Sequence, residues 1–433
     1  MGHPGVLGVI APPARRLAMD ILRRTLDHNQ DAQAGVDDVL AASRAESQDK
    51  ALATELAYGY LRLRGRMDFI LAQLLKNPHQ TSPVLKRILG LAAYELLFLS
   101  RIPDYATLDW AVSLARERLG QTMAKVANGV LRSLVRLGRA VHLPDYYEAK
   151  TAGQARFLSA WGSCPLWLAE MWIGAYGREK ARMFLEASLQ APPAGVRVNR
   201  LHADAGAIRD RLVPLAVATT PWGFALNEWP EFLNDAVDRG AATRQSLAAQ
   251  KIMDDIGAEH WPSPVLDACS GRGGKTFLMA ELGKKVWASD VNVFRLEQLR
   301  RESGRLGLKV PVLRAPAQGP FPLRQAPGTV FLDAPCSGFG VLARRPDIKW
   351  KRSQADCAGL AALQRQMLDA AAELLPRGGC LAYVTCTLNP AENEGQVEGF
   401  VRARPEMKLF RQAQSDPDEG LGEFFYGAVL KKT

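Results

Sequence analysis

The sequence predicts a multi-domain chain: an all-α helical bundle, a small α+β insert, and an α/β domain on a mostly parallel sheet. Three observations carry this. The 433 residues exceed one ordinary domain. The first third places apolar residues at three- and four-residue steps with no strand pattern. From Pro264 onward, short apolar runs alternate with helical stretches.

The helical period runs through Leu17, Ile21 and Leu22, then Leu52, Leu56, Tyr60 and Leu61. Ser82-Pro83 opens a further helix, with proline at its first position, and Ile102-Pro103-Asp104 ends it. Two more helices follow, around 108–119 and 123–137. We assign residues 15–142 to this bundle. Residues 1–14 read as a flexible tail, because Met1 to Ile10 lack the basic start and cleavage site of a signal peptide.

Residues 143–250 read as a linker and small α+β subdomain. A helical stretch opens at Ser163-Cys164-Pro165, Ala191-Pro192-Pro193 stops it, and Val196 to Asn199 alternate like a strand. Residues 251–433 form the α/β domain. Strands are expected at Val265–Ala268, Lys285–Asp290, Val310–Leu313, Thr329–Asp333 and Gly379–Thr385, with helices at Arg295–Gly304 and Leu360–Leu375. In such sheets ligands bind beyond the carboxyl ends of the strands. Asp267, Asp290, Asp333 and Thr385-Cys386 all fall there.

Composition narrows the function. The hydrophobic fraction of 47% supports real cores, and no apolar run reaches the length of a membrane span. Fifty-five Lys and Arg against 45 Asp and Glu give a net charge of +10, which favours a polyanion such as RNA. None of the six cysteines forms a C-x-x-C pair, so no metal site is expected. Reduced thiols in a chain of this size suit a cytoplasmic protein, and a monomer is the default.

The motifs carry the chemistry. Asp267 to Thr276 form a glycine-rich turn between a strand and a helix. Cys269, Ser270, Gly271, Arg272, Gly273, Gly274 and Lys275 can offer backbone N–H groups to a nucleotide-like cofactor. A phosphate loop would need glycine at position 269, so a nucleoside triphosphatase is disfavoured. Asp290 suits ribose hydroxyls or a helix N-cap, and both roles can hold at once. Arg295, on the next helix, and Asp333 join the cofactor set. Asp333-Ala334-Pro335-Cys336 fixes a carboxylate beside a thiol, and Cys386 ends an equivalent strand. Cys357 reads as the start of a surface helix, and Cys380 as a strand start away from the pocket. Arg344, Arg345, Lys349 and Trp350 place basic groups around an aromatic, which suits an RNA backbone and a stacked base. Inward packing of Ile348 and Trp350 is the equal alternative.

On these residues the chain resembles the RNA (cytosine-5) methyltransferases of the RsmB/Sun (Fmu) group, in the NOL1/NOP2/Sun family. The likeness covers about residues 160–433 through Asp267–Thr276, Asp333–Ser337, Arg345–Trp350 and Thr385–Thr387. Residues 15–140 resemble NusB, an RNA-binding helical fold, through Ile102–Ala106 and Ala127–Arg132. The resemblance implies a Rossmann-like class I methyltransferase domain that uses S-adenosylmethionine. It implies Cys386 as the nucleophile, Cys336 in product release, and Asp333 on the base ring. A local cation such as Lys275, or a helix start, is expected to favour the thiolate. Ribosomal RNA of the small subunit is the expected substrate.

The chain also departs from the family. Ser270-Gly271-Arg272 replaces the usual Ala-Ala-Pro in the turn. Leu313-Arg314-Ala315-Pro316 stands where an acidic residue normally meets the adenine. Gln245 to Ala249 replace a Gln-Asp-Glu-Ala-Ser run. Three alternatives stay open: a degenerate methyltransferase acting as an RNA-binding assembly or antitermination factor, a DNA cytosine-5 enzyme using Pro335-Cys336, and an enzyme of transfer RNA.

Overall fold

A computed structural model describes residues 12–433. The expected tail therefore lies outside the described residues, except that Pro13 and Ala14 already open the first helix. The chain divides into two compact units. One holds the residues up to Leu189 together with Arg345–Lys351, and the other holds Gln190–Arg344 and Arg352–Thr433.

Among the described residues the first unit is all helix. Its main helices span Pro13–Leu26, Ala32–Ala41, Ser47–Leu74, Pro83–Phe98, Asp104–Leu119 and Gln121–Leu137. Their apolar faces meet in a core that includes Ile21, Leu56, Ile88, Trp110, Leu114 and Leu131. The Ser82 hydroxyl caps the Pro83 helix by accepting from Leu85 N. A buried carboxylate ties three helices together. Glu95 Oε1 accepts from Thr107 Oγ1 at 2.6 Å and Trp110 Nε1 at 2.9 Å, and Oε2 accepts from Arg15 Nε at 3.0 Å. The helical stretch expected after Ser163 is two helices, Leu166–Tyr176 and Arg178–Ser188, broken at Gly177.

The second unit contains two sheets. β1 (Ala194–Val198), β2 (Ala216–Thr220), β3 (Gly223–Leu226) and β4 (Ala242–Arg244) form an antiparallel sheet in the order β2-β3-β1-β4. Helices Ala205–Leu212 and Phe232–Asp238 contribute to its core through Ile208, Leu212, Leu233 and Ala236. Within the segment expected as one subdomain over 143–250, helices precede Leu189 and strands interleaved with helices follow it, and the sequence boundary between the two units falls there.

The larger sheet positions the site. β5 (Val265–Asp267), β6 (Val286–Asp290), β7 (Val312–Arg314), β8 (Thr329–Asp333) and β9 (Cys380–Thr385) run parallel in the order β9-β8-β5-β6-β7. β11 (Tyr426–Lys432) pairs antiparallel with β9, and β10 (Met407–Gln414) pairs antiparallel with β11 at the edge. Alternate residues feed opposite cores: Val265, Phe331, Ala382 and Val384 on one face, Leu266, Val330, Leu332 and Tyr383 on the other. Burial on both faces explains why these strands read as unbroken apolar runs.

Candidate active site

Four adjacent parallel strands deliver their last residues to one edge: Asp290 from β6, Asp267 from β5, Asp333 from β8 and Thr385 from β9. Asp267 is buried at 1% exposure and accepts from Thr276 Oγ1 at 2.6 Å and Cys269 N at 3.3 Å. Desolvation pushes its carboxyl up to about 7, against the pull of the Thr276 hydrogen bond. Asp267 therefore fastens the turn to the helix that follows it.

The two cysteines meet. Cys336 Sγ lies 3.3 Å from Cys386 Sγ, and Cys386 N donates to the Cys336 sulfur at 3.3 Å. Both residues are half-buried. The Cys336 thiol is held well above its usual range, first by its hydrogen bond with Cys386, then by burial and the charge of Glu392. Lys275 Nζ donates to Asp333 Oδ2 at 2.7 Å and sits 5.3 Å from the Phe425 ring centroid. Burial works against the Lys275 charge, but Asp333 outweighs it and holds the ammonium above its ordinary pKa. The site therefore carries a cation, a carboxylate and two thiols.

The glycine turn fits the adenosyl cofactor. Gly271 and Gly273 have φ of +55° and +92°, and a Cβ at Gly271 would meet nothing within 4 Å. The turn leads into helix Gly274–Glu281. Gly271 N donates to Asp290 Oδ2 at 3.0 Å, while Oδ1 accepts from Asn292 N at 2.8 Å. The Asp290 carboxylate keeps lone pairs for ribose hydroxyls. The N-cap of the next helix is Asn292. Arg295 Nη1 stands 3.8 Å from Asp290 Oδ2, and Arg272 is exposed. The Ser270 hydroxyl donates to Ser289 O at 3.0 Å. Cys269 lies in the turn with its thiol pushed up, mainly by burial. The turn is braced from β1, where Arg197 donates to Gly274 O at 2.6 Å.

The expected RNA-contacting run needs correction. Lys349 is 1% exposed and donates to Arg62 O at 2.8 Å. Trp350 Nε1 donates to Leu61 O at 2.7 Å. Lys349 lies in the helical unit's interior, while Trp350 is half-buried with its indole N–H turned inward, which is nearer the inward-packing alternative. Burial drives the Lys349 ammonium down to about 7, reinforced by Arg62 and Arg66. Arg344 and Arg345 remain exposed, paired with Glu423 at 2.9 Å and with Asp31. Cys357 does begin a helix, Gln354–Leu374, but is buried at 7% exposure.

Sequence reasoning missed the residues that hold the two cysteine loops. Glu392 is fully buried. Its Oε2 accepts from Ser337 N at 2.8 Å and Gln364 Nε2 at 2.9 Å, and its Oε1 accepts from Asn389 Nδ2 at 2.8 Å. The Ser337 and Thr387 hydroxyls lie 2.6 Å apart. Gly340 N donates to Cys386 O at 2.9 Å, and a Cβ there would sit 1.9 Å from Phe424 O. Only glycine fits. The run Asn389-Pro390-Ala391-Glu392-Asn393 after the second cysteine was the available signal: amides and a carboxylate beside a strand end.

A parallel sheet with a glycine turn, a ribose-type carboxylate and paired thiols at one edge defines a methyltransferase of the adenosyl-cofactor class. Comparison with known proteins gives the family. The family model described as 16S rRNA methyltransferase RsmB/F matches residues 258–424. The NusB family model matches 12–136, and an RsmF/B-like ferredoxin-like domain matches 164–225. The probable ribosomal RNA small subunit methyltransferase B of Bacillus subtilis (strain 168) is 30% identical over 385 residues, covering 86% of this chain and 84% of the relative. The ribosomal RNA small subunit methyltransferase B of Escherichia coli O6:K15:H31 (strain 536 / UPEC) is 31% identical, covering 90% and 92%. The crystal structure of PH0851 superposes with a TM-score of 0.75 at 21% identity, over 97% of this chain and 99% of that one. The chain belongs to the RsmB/F methyltransferase family, with a NusB-like domain ahead of the catalytic one. Its cofactor is S-adenosylmethionine. No described helix is long and apolar enough to cross a membrane.

Proposed function

We propose that the chain methylates carbon 5 of a cytosine in small-subunit (16S) ribosomal RNA through a covalent adduct with Cys386. The observation that carries this reading is the 3.3 Å thiol pair beside the Lys275–Asp333 ion pair. The names of the relatives supply the RNA. We further place the protein in the cytoplasm as a monomer.

Cytosine carbon 5 is a weak nucleophile. Cys386, as thiolate, adds to carbon 6, and the electron pair moves toward carbon 5 and the ring nitrogen. The Asp333 carboxylate accepts from the exocyclic amino group beside nitrogen 3 and orients the base, and the Lys275 ammonium it holds supplies the positive charge that stabilises the negative charge developing on the ring. Lys275 orients Asp333 and offers a positive field to the thiolate. Bound S-adenosylmethionine supplies an electrophilic methyl group. Cys336 then takes the proton from carbon 5, the carbon 6–sulfur bond breaks, and Cys386 leaves as thiolate. Once Cys386 is bonded to carbon 6, the Cys386 hydrogen bond and charge that hold the Cys336 thiol up are gone, so Cys336 gives its proton to water and its thiolate is the base for that step. The base must leave its stack to reach the edge. Arg344 and Arg345 are the exposed cations we assign to the backbone.

The test is methyl transfer from labelled S-adenosylmethionine to RNA of a strain lacking this gene, with bisulfite sequencing. One new 5-methylcytosine in small-subunit RNA is expected. A modified transfer RNA would move the substrate. No transfer and no cofactor binding would favour the RNA-binding factor.

A further inference from the structure

We propose that Glu392 is a positioning residue for this reaction: it locks the Cys336 loop to the Cys386 loop and makes Cys386 the thiol that ionises first. The inference rests on the covalent reading above.

The geometry is two-sided. The residues that follow the two cysteines, Ser337 and Thr387, join through their hydroxyls at 2.6 Å. Glu392 grips Ser337 N from one direction. Asn389 links it to the second loop, donating to Glu392 Oε1 while its own N–H donates to Thr387 Oγ1 at 3.3 Å. Asn393 closes the ring: Nδ2 donates to Thr387 O at 2.9 Å, and Oδ1 accepts from Thr385 Oγ1 at 2.6 Å. A buried carboxylate is costly unless its oxygens are satisfied, and here three N–H donors satisfy them. One buried charge therefore joins the two cysteine loops, beside the apolar core against which Cys386 packs.

That charge also breaks the symmetry of the thiol pair. Two thiols in contact share their first proton loss, so a small field decides which sulfur ionises. The Glu392 charge opposes a thiolate at Cys336. On the other side, the Lys275 ammonium interacts with Cys386. A negative group behind one sulfur and a positive group near the other direct the proton to Cys336 and leave Cys386 the nucleophile. Cys336 S–H can then hydrogen-bond to the Cys386 thiolate at 3.3 Å.

The experiment is site-resolved alkylation of the full-length protein with iodoacetamide, read by mass spectrometry across pH, with steady-state kinetics alongside. In the native protein Cys386 should react at least about tenfold faster than Cys336 near pH 8. Glu392→Gln removes the charge, so the gap should shrink several-fold, and kcat should fall with the KM for RNA little changed. Glu392→Asp should recover part of both. Asn389→Ala removes a donor from the carboxylate and leaves it less neutralised, so Cys336 should become slower still. Opposite shifts in these two variants separate a field effect from simple loosening, which would speed both cysteines in both variants. Unchanged selectivity in folded Glu392→Gln would overturn the inference, and so would shifts of equal sign. If Cys336 alone reacted in the native protein, the nucleophile assignment itself would fail instead.

Discussion

Arg197→Met would sever a buried ion pair whose contribution follows from its geometry. The Arg197 side chain on β1 is 1% exposed and that of Glu281 is 3%. The pair is bidentate, Nε to Oε2 and Nη2 to Oε1 both at 3.0 Å. The third nitrogen, Nη1, donates to Gly274 O at 2.6 Å and to Gln245 Oε1. Desolvation raises the Glu281 carboxyl, and Arg197 counters it. Without the guanidinium that carboxylate stays buried with only the weaker pull of Arg200 and Arg305, which costs about 3–5 kcal/mol. In a unit of this size the Tm should fall by about 6–20 °C. Gly274, at the start of the cofactor helix, also loses its donor, so the Kd for S-adenosylmethionine should rise. The double variant Arg197→Met/Glu281→Met removes both charges and should recover most of the lost stability. Scanning calorimetry of both variants, with cofactor titration, is the assay. A double variant as unstable as Arg197→Met alone would refute the reasoning, because the cost would then not come from the stranded charge.

Three further outcomes follow from the site and its surroundings. Asp267 favours its protonated form when folded, so its contribution to stability is full below about pH 4 and is lost as pH rises toward about 7. Asp267→Asn should flatten unfolding free energy across that window, measured by urea titration at several pH values. Lys349 has the opposite sign: its folded pKa of about 7 lies below its ordinary 10.5, so its burial penalty is full below about 7 and fades as pH rises to 10.5. Lys349→Met should therefore raise Tm more near pH 7 than near pH 10, and it should leave RNA affinity unchanged in a filter-binding assay. Asp333→Asn removes the carboxylate expected beside nitrogen 3 and the partner of Lys275, so single-turnover methyl transfer should slow about 10²–10³-fold.

The parts of the fold written in local periodicity were legible. The helices from Pro13 to Leu137 show their apolar stripe, and the five parallel strands show short apolar runs because both faces are buried. The strand-end carboxylates and cysteines followed from topology, since a parallel sheet collects its carboxyl ends on one edge. β10 was illegible because it is an edge strand: residues 408–412 are all exposed, and Met-Lys-Leu-Phe-Arg-Gln does not alternate. Lys349 misled because a basic run reads as surface, and only tertiary packing beside Arg62 and Cys164 buries it. Glu392 was invisible for a related reason. A buried carboxylate is defined by its donors, and these come from residues 337, 364 and 389.

The central claim is that Cys386 forms the covalent bond and Cys336 resolves it. The most direct measurement uses Cys336→Ala with substrate RNA and S-adenosylmethionine, followed by denaturing electrophoresis and peptide mapping of the shifted band. A stable RNA–protein adduct on Cys386 is the expected result, and it disappears in Cys336→Ala/Cys386→Ala. An adduct that persists without Cys386, or one on Cys336 in Cys386→Ala, would contradict it.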